Sequence, residues 1–107
     1  MGMDISTYTV VGCSFYKLIE DEALNWDQVE NLEKAAEEVG LETVMDMYAP
    51  EKVSDVFIGV LFRNRPTDAE VEAATLKVSE HLPKIEKFIG AEADSDVAVW
   101  TATEISV

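Results

Sequence analysis

Residues 11–16, VGCSFY, return 47 positions later as residues 58–63, IGVLFR. In each copy a β-branched residue precedes glycine, two small or apolar residues follow, and phenylalanine then leads into a long side chain with a polar end. An echo at one fixed separation asks for a fold built from two similar halves, and the flanking pattern supplies them. Residues 7–16, rich in β-branched and aromatic side chains, read as a strand. After an acidic connector (17–24), Asn25 stands as an N-cap with Gln28 three residues on. Trp26, Val29, Leu32, Ala36 and Val39 then recur at helical spacing up to Gly40, where a left-handed cap belongs. Residues 41–48 alternate as a strand, and Pro50 with Glu51-Lys52 marks a turn.

The second half repeats the order. Residues 54–63 form the strongest strand pattern. Thr67 and Glu70 make a second capping box behind Pro66. Val71, Ala74, Val78, Leu82, Ile85, Phe88 and Ile89 mark a helix face ending at Gly90, and Pro83 predicts a kink or two abutting helices. Residues 96–105 read as the last strand. The order β-α-β-β-α-β resembles the ferredoxin-like fold: an α+β two-layer sandwich with a four-stranded antiparallel sheet and two helices on one face. The echoed strands would be neighbours at its centre, and the echo is then pseudo-symmetry rather than a catalytic motif. Such a fold hosts many activities and assigns none. At 107 residues one domain (1–107) is expected, with residues 1–6 flexible.

Strand alternation places Val11, Cys13, Phe15, Ile58, Val60 and Phe62 beneath the helices. The other face carries Tyr8, Val10, Gly12, Ser14 and Tyr16 beside Phe57, Gly59, Leu61 and Arg63. A face left open to water should be polar, and this one is not. Either the glycines mark bulges or strong twist, or Tyr8, Val10, Gly12, Tyr16, Phe57, Gly59 and Leu61 form an interface, with homodimerisation favoured over a ligand cleft.

Charge is the dominant compositional fact: 22 acids against 8 Lys and Arg give a formal net of −14. That balance argues against direct nucleic-acid binding, which needs a basic stripe, and against anionic membranes; it favours a basic partner. The single cysteine, Cys13, and an N-terminus without a basic, then apolar, leader fit a cytoplasmic protein. Cys13 on a core-facing strand position reads as a small apolar residue, and His81 as a lone helix histidine. Neither is assigned to catalysis. Glu92, Asp94 and Asp96 fall at alternate positions but lack the glycine and bidentate glutamate of a calcium loop, so they read as a solvated turn. No metal, cofactor or catalytic residue is assigned.

Arg63 and Arg65 precede the second helix and are a candidate anion site, with pairing to nearby acids the simpler reading. The acidic stretch is the stronger lead. Between residues 20 and 39, Glu20, Asp21, Glu22, Asp27, Glu30, Glu33, Glu37 and Glu38 face a single Lys34. Like charges at helical spacing destabilise a helix, and nothing in the fold requires them. A solvated face or adaptation to high salt accounts for them without function. The functional reading is a non-enzymatic inhibitor or adaptor docking a basic, nucleic-acid-binding protein, in the manner of a phage or mobile-element counter-defence protein. The alternatives are a dimeric regulatory or ligand-binding domain using the sheet face, and a small dimeric enzyme.

Overall fold

The structure, a computed structural model, describes residues 4–20, 23, 24, 26–50 and 52–106. In chain order the elements are β1 (Asp4–Ser14), a 3-10 turn (Tyr16–Leu18), the two-residue strands β2 (Ile19–Glu20) and β3 (Ala23–Leu24), α1 (Trp26–Glu38), β4 (Glu42–Ala49), β5 (Lys52–Phe62), α2 (Asp68–Ile89) and β6 (Ala98–Ser106). The four long strands form one sheet in the order β4-β5-β1-β6, each antiparallel to its neighbours, with β2 and β3 pairing separately. This is the ferredoxin-like α+β arrangement. The echoed strands are its central pair, and Gly12 lies directly opposite Gly59.

The helices form where sequence and caps agree. In α1, Val29, Leu32 and Ala36 are fully buried. Gly40, at φ 74°, ends the helix by letting the Leu41 N–H reach the Ala36 carbonyl (2.9 Å) and its own N–H reach Glu37 (3.1 Å). Thr67 caps α2 reciprocally: its hydroxyl accepts from the Glu70 N–H (3.2 Å), and the Glu70 carboxylate accepts from the Thr67 N–H (3.0 Å). Those hydrogen bonds hold the Glu70 carboxyl below its ordinary pKa. The helix runs unbroken through Pro83 to Gly90, so of the two expectations there, a kink or two abutting helices, the second does not occur. Asn25 and Glu51 lie outside the described residues.

Both helices pack on one face of the sheet, where Cys13, Phe15, Val56 and Ile58 meet Val29, Leu32 and Ala36 of α1 and Val78 and Ile85 of α2. At ~1.5–3 kcal/mol for each large apolar side chain removed from water, this layer carries most of the driving force. Val60 and Phe62, expected in the core, are only half-buried. Trp26 and Phe88 are corrections of a larger kind, at 60% and 59% exposure. Trp26 opens α1 on the line of Glu30, Glu33 and Glu37 rather than that of Leu32 and Ala36. Phe88 sits at the end of α2, where it lines surface grooves with Ala35 and the charged residues Lys34, Glu37 and Glu38 of α1.

The far face is not open. The sheet coils until its outer strands meet: the Thr103 N–H on β6 donates to Asp46 Oδ1 on β4 at 2.9 Å, and the Ile105 N–H reaches Met47 Sδ at 3.5 Å. Inside the curl, Val10, Val44, Phe57 and Ala102 are buried together, with Leu61 and Trp100 packed against them. Trp100 stacks on Phe57 with ring centroids 5.0 Å apart, and its indole N–H donates to the Gly12 carbonyl at 2.8 Å. Phe57 and Trp100 stand on strands either side of β1, so their rings meet across it, beside the Gly12–Gly59 pair. The first strand also begins earlier than its pattern predicts, since Asp4, Ile5 and Ser6 pair with Ser106, Ile105 and Glu104.

Candidate functional site

The fold presents α1 on the surface of the helix layer with its acids outward. Asp27, Glu30, Glu33, Glu37 and Glu38 are all exposed, as is Lys34. At 100° per residue, Trp26, Glu30, Glu33 and Glu37 fall on one line, so an exposed indole heads a row of three glutamates. Asp27, Lys34 and Glu38 form a second line nearer α2. Glu38 there shares a groove of about 330 Å3 with Lys84, Lys87 and Phe88. Among the described residues none of these acids forms an ion pair; the one such bridge joins Lys17 to Asp94. Asp21, Glu22 and the side chain of Glu20 lie outside what the structure describes.

Glu37 and Glu38 also sit in the last turn of α1, which carries no basic residue of its own. Carboxylates are disfavoured there because they face the negative end of the helix dipole. Lys77 of α2 offsets this in part, donating from Nζ to the Gly40 carbonyl at 2.8 Å.

The residues expected to form a sheet-face interface are corrected by the curl. Val10 and Phe57 are buried at 0% and 2% exposure, Gly12 and Gly59 are buried, and Tyr8 and Leu61 are half-buried, all within one chain. Tyr16 stays exposed but belongs to the 3-10 turn, past the end of β1. Gly12 and Gly59 pair in an unbroken β1–β5 register, so neither marks a bulge.

Arg63 and Arg65 are exposed, and the expected pairing with acids is not what holds them. The Arg63 guanidinium lies over the Tyr8 ring, 5.1 Å from its centroid, and Nη1 donates to the Tyr8 hydroxyl at 3.4 Å. Cys13 is sealed in the core, and burial, followed by the Glu86 and Asp96 charges, pushes its thiol up to about 11. A thiol so placed is inert. His81 is half-buried on α2. Among the described residues no three His, Cys, Asp or Glu side chains gather as metal ligands, and no helix is long and apolar enough to cross a membrane.

A polar cluster at the end of β1 was invisible in the sequence. The Asp94 side chain, read as part of a solvated turn, is 2% exposed. It accepts the Lys17 backbone N–H at 2.9 Å and pairs with Lys17 Nζ at 3.0 Å, while its own N–H donates to the Ser14 carbonyl at 2.8 Å. The Ser14 hydroxyl donates to Asp55 Oδ1 at 2.6 Å, and the Val56 N–H donates to the same oxygen. Desolvation raises the Asp55 pKa, with the Asp46 and Asp94 charges adding to it and the two hydrogen bonds opposing it. These contacts tie the α2–β6 loop to the sheet. Ser14 gives its proton to a carboxylate with no imidazole behind it, so the cluster is a tether rather than a nucleophile and base. Its members lie 41 and 80 residues apart, a separation that leaves no local sequence signal.

Comparison with protein-family models, with curated proteins and with solved structures found no match to this chain.

Proposed function

We propose that this protein is a non-catalytic binding module, an inhibitor or adaptor, that docks a basic protein partner through the outer face of α1. One observation carries the reading: five carboxylates stand exposed on thirteen residues of helix, unpaired among the described residues, two of them at the end where the dipole disfavours them. Trp26 at the head of the row supplies an aromatic anchor of the kind that dominates interface energetics. Glu30, Glu33 and Glu37 follow one another at about 4.5–6 Å along the axis, a row of like negative charges that a surface built to bind phosphates would attract. A nucleic-acid-binding protein is therefore the favoured partner class.

The test compares the wild-type chain with a variant in which Glu30, Glu33, Glu37 and Glu38 are lysine, each immobilised and exposed to host extract across a salt series. The expected result is a basic protein retained by the wild type, released as salt rises and lost with the variant. Retention by both, or a retained partner indifferent to salt, ends the reading.

A further inference from the structure

We infer that the cleft between the amino-terminal half of β1 and the segment entering α2 is a binding site for a small, hydroxyl-bearing organic phosphate. The cleft measures about 470 Å3 and lies on a surface separate from the acidic face of α1. Arg63, Asn64 and Arg65 line it together with Thr7, Tyr8 and Thr9, Tyr8 lying under the Arg63 guanidinium. In a chain of net charge −14, two arginines within three residues would be expected to engage carboxylates, yet among the described residues neither forms an ion pair. Instead Arg63 is steered by an aromatic ring and a phenolic hydroxyl. That arrangement fixes the guanidinium while leaving most of its donors unused.

The donor set favours phosphate over carboxylate. Two planar guanidinium groups and neighbouring hydroxyls offer more donors than the two oxygens of a carboxylate can take, whereas a phosphate monoester presents three terminal oxygens and nearly two charges. Val71 and Val99 give the cleft an apolar side for the body of the ligand. Asp68, also on the wall, is an acceptor suited to a sugar hydroxyl. Asp68 offsets part of the arginines' charge, and Glu42 and Glu104 line a second cleft that Arg63 and Tyr8 also border, whereas carboxylates beyond about 8–10 Å are screened at physiological salt.

The experiment titrates adenosine monophosphate, inorganic phosphate and adenosine into the protein, followed by amide and arginine Nε chemical shifts. Saturable shifts confined to residues 7–9 and 63–68 are expected with the nucleotide and with phosphate, and none with adenosine. Arg65→Gln, at an exposed side chain without a hydrogen bond or ion pair among the described residues, is expected to weaken nucleotide binding about tenfold or more. Arg63→Gln is expected to weaken it similarly, with the Trp100 fluorescence unchanged as a check on folding. Absence of saturable shifts in the millimolar range, equal binding of adenosine, or undiminished binding by the Arg63→Gln/Arg65→Gln double variant overturns the inference.

Discussion

The indole N–H of Trp100, on the outer strand β6, donates to the carbonyl of Gly12 at the centre of the sheet, 2.8 Å away. The pairing of β1 with β5 beside this contact needs a bare backbone at residues 12 and 59. A Cβ there would lie 1.8 Å from the Ile58 carbonyl oxygen, and one on Gly59 would lie 2.1 Å from that of Val11. Both obstacles are backbone, which cannot swing aside. Gly12→Ala and Gly59→Ala are each expected to cost about 3 kcal/mol or more. Urea denaturation followed by tryptophan fluorescence measures the loss; a cost near zero would mean that the strands do not approach as described.

Asp46 accepts one of the hydrogen bonds that close the curl. Replacing it with alanine removes the acceptor of the Thr103 N–H and is expected to cost about 1.5–3 kcal/mol, the usual range for a hydrogen bond to a charged group. Hydrogen exchange gives the more specific readout. The Thr103 amide should lose protection in Asp46→Ala, while the central-strand amide of Val11 keeps it until global unfolding.

Asp55 makes stability depend on pH in a defined direction. Its folded pKa is raised above the ordinary 3.8, so the folded state holds this proton more tightly than the unfolded one. The contribution is fully present below 3.8 and is lost as pH rises through the folded value. Asp55→Asn keeps an acceptor for Ser14 and Val56 but cannot ionise. Thermal melts of wild type and variant should agree at the acid end, with the variant becoming the more stable at neutral pH. A variant less stable than wild type at neutral pH would show that the charge itself is needed.

Cys13 should be silent toward thiol reagents at pH 8 in the native protein and react fully in denaturant. With its folded value near 11 against an ordinary 9.0, the thiol also favours folding below pH 9. That contribution is lost as pH climbs toward 11. Rapid native labelling would place the sulfur outside the core.

Much of the architecture was readable because it is written locally. The Thr67–Glu70 box, the two helix-ending glycines and the strand patterns each depend on residues within a few positions of one another. The pairing of the echoed strands followed from topology. What escaped was set by distance. Asp46 and Thr103 are 57 residues apart, and no periodicity reports that one will close a sheet against the other. Without that closure, the apolar far face looked like a surface awaiting a partner. Trp26 and Phe88 share the helical spacing of core residues yet stand exposed, because that spacing identifies a face but not where the opposing layer stops. The acids of α1 face outward, since their lines follow from the same 100° step that buries Leu32 and Ala36.

The meeting of β4 and β6 has a bearing on how this molecule behaves in a crowd. Outermost strands usually display amide groups onto which a neighbour's strand can be added, the first step toward fibrous polymers. Here the amides of Thr103 and Ile105 are already occupied by Asp46 and Met47 of the same chain. Two amides of the rim are thereby closed within the chain, which leaves less of β6 for a neighbour's strand to extend.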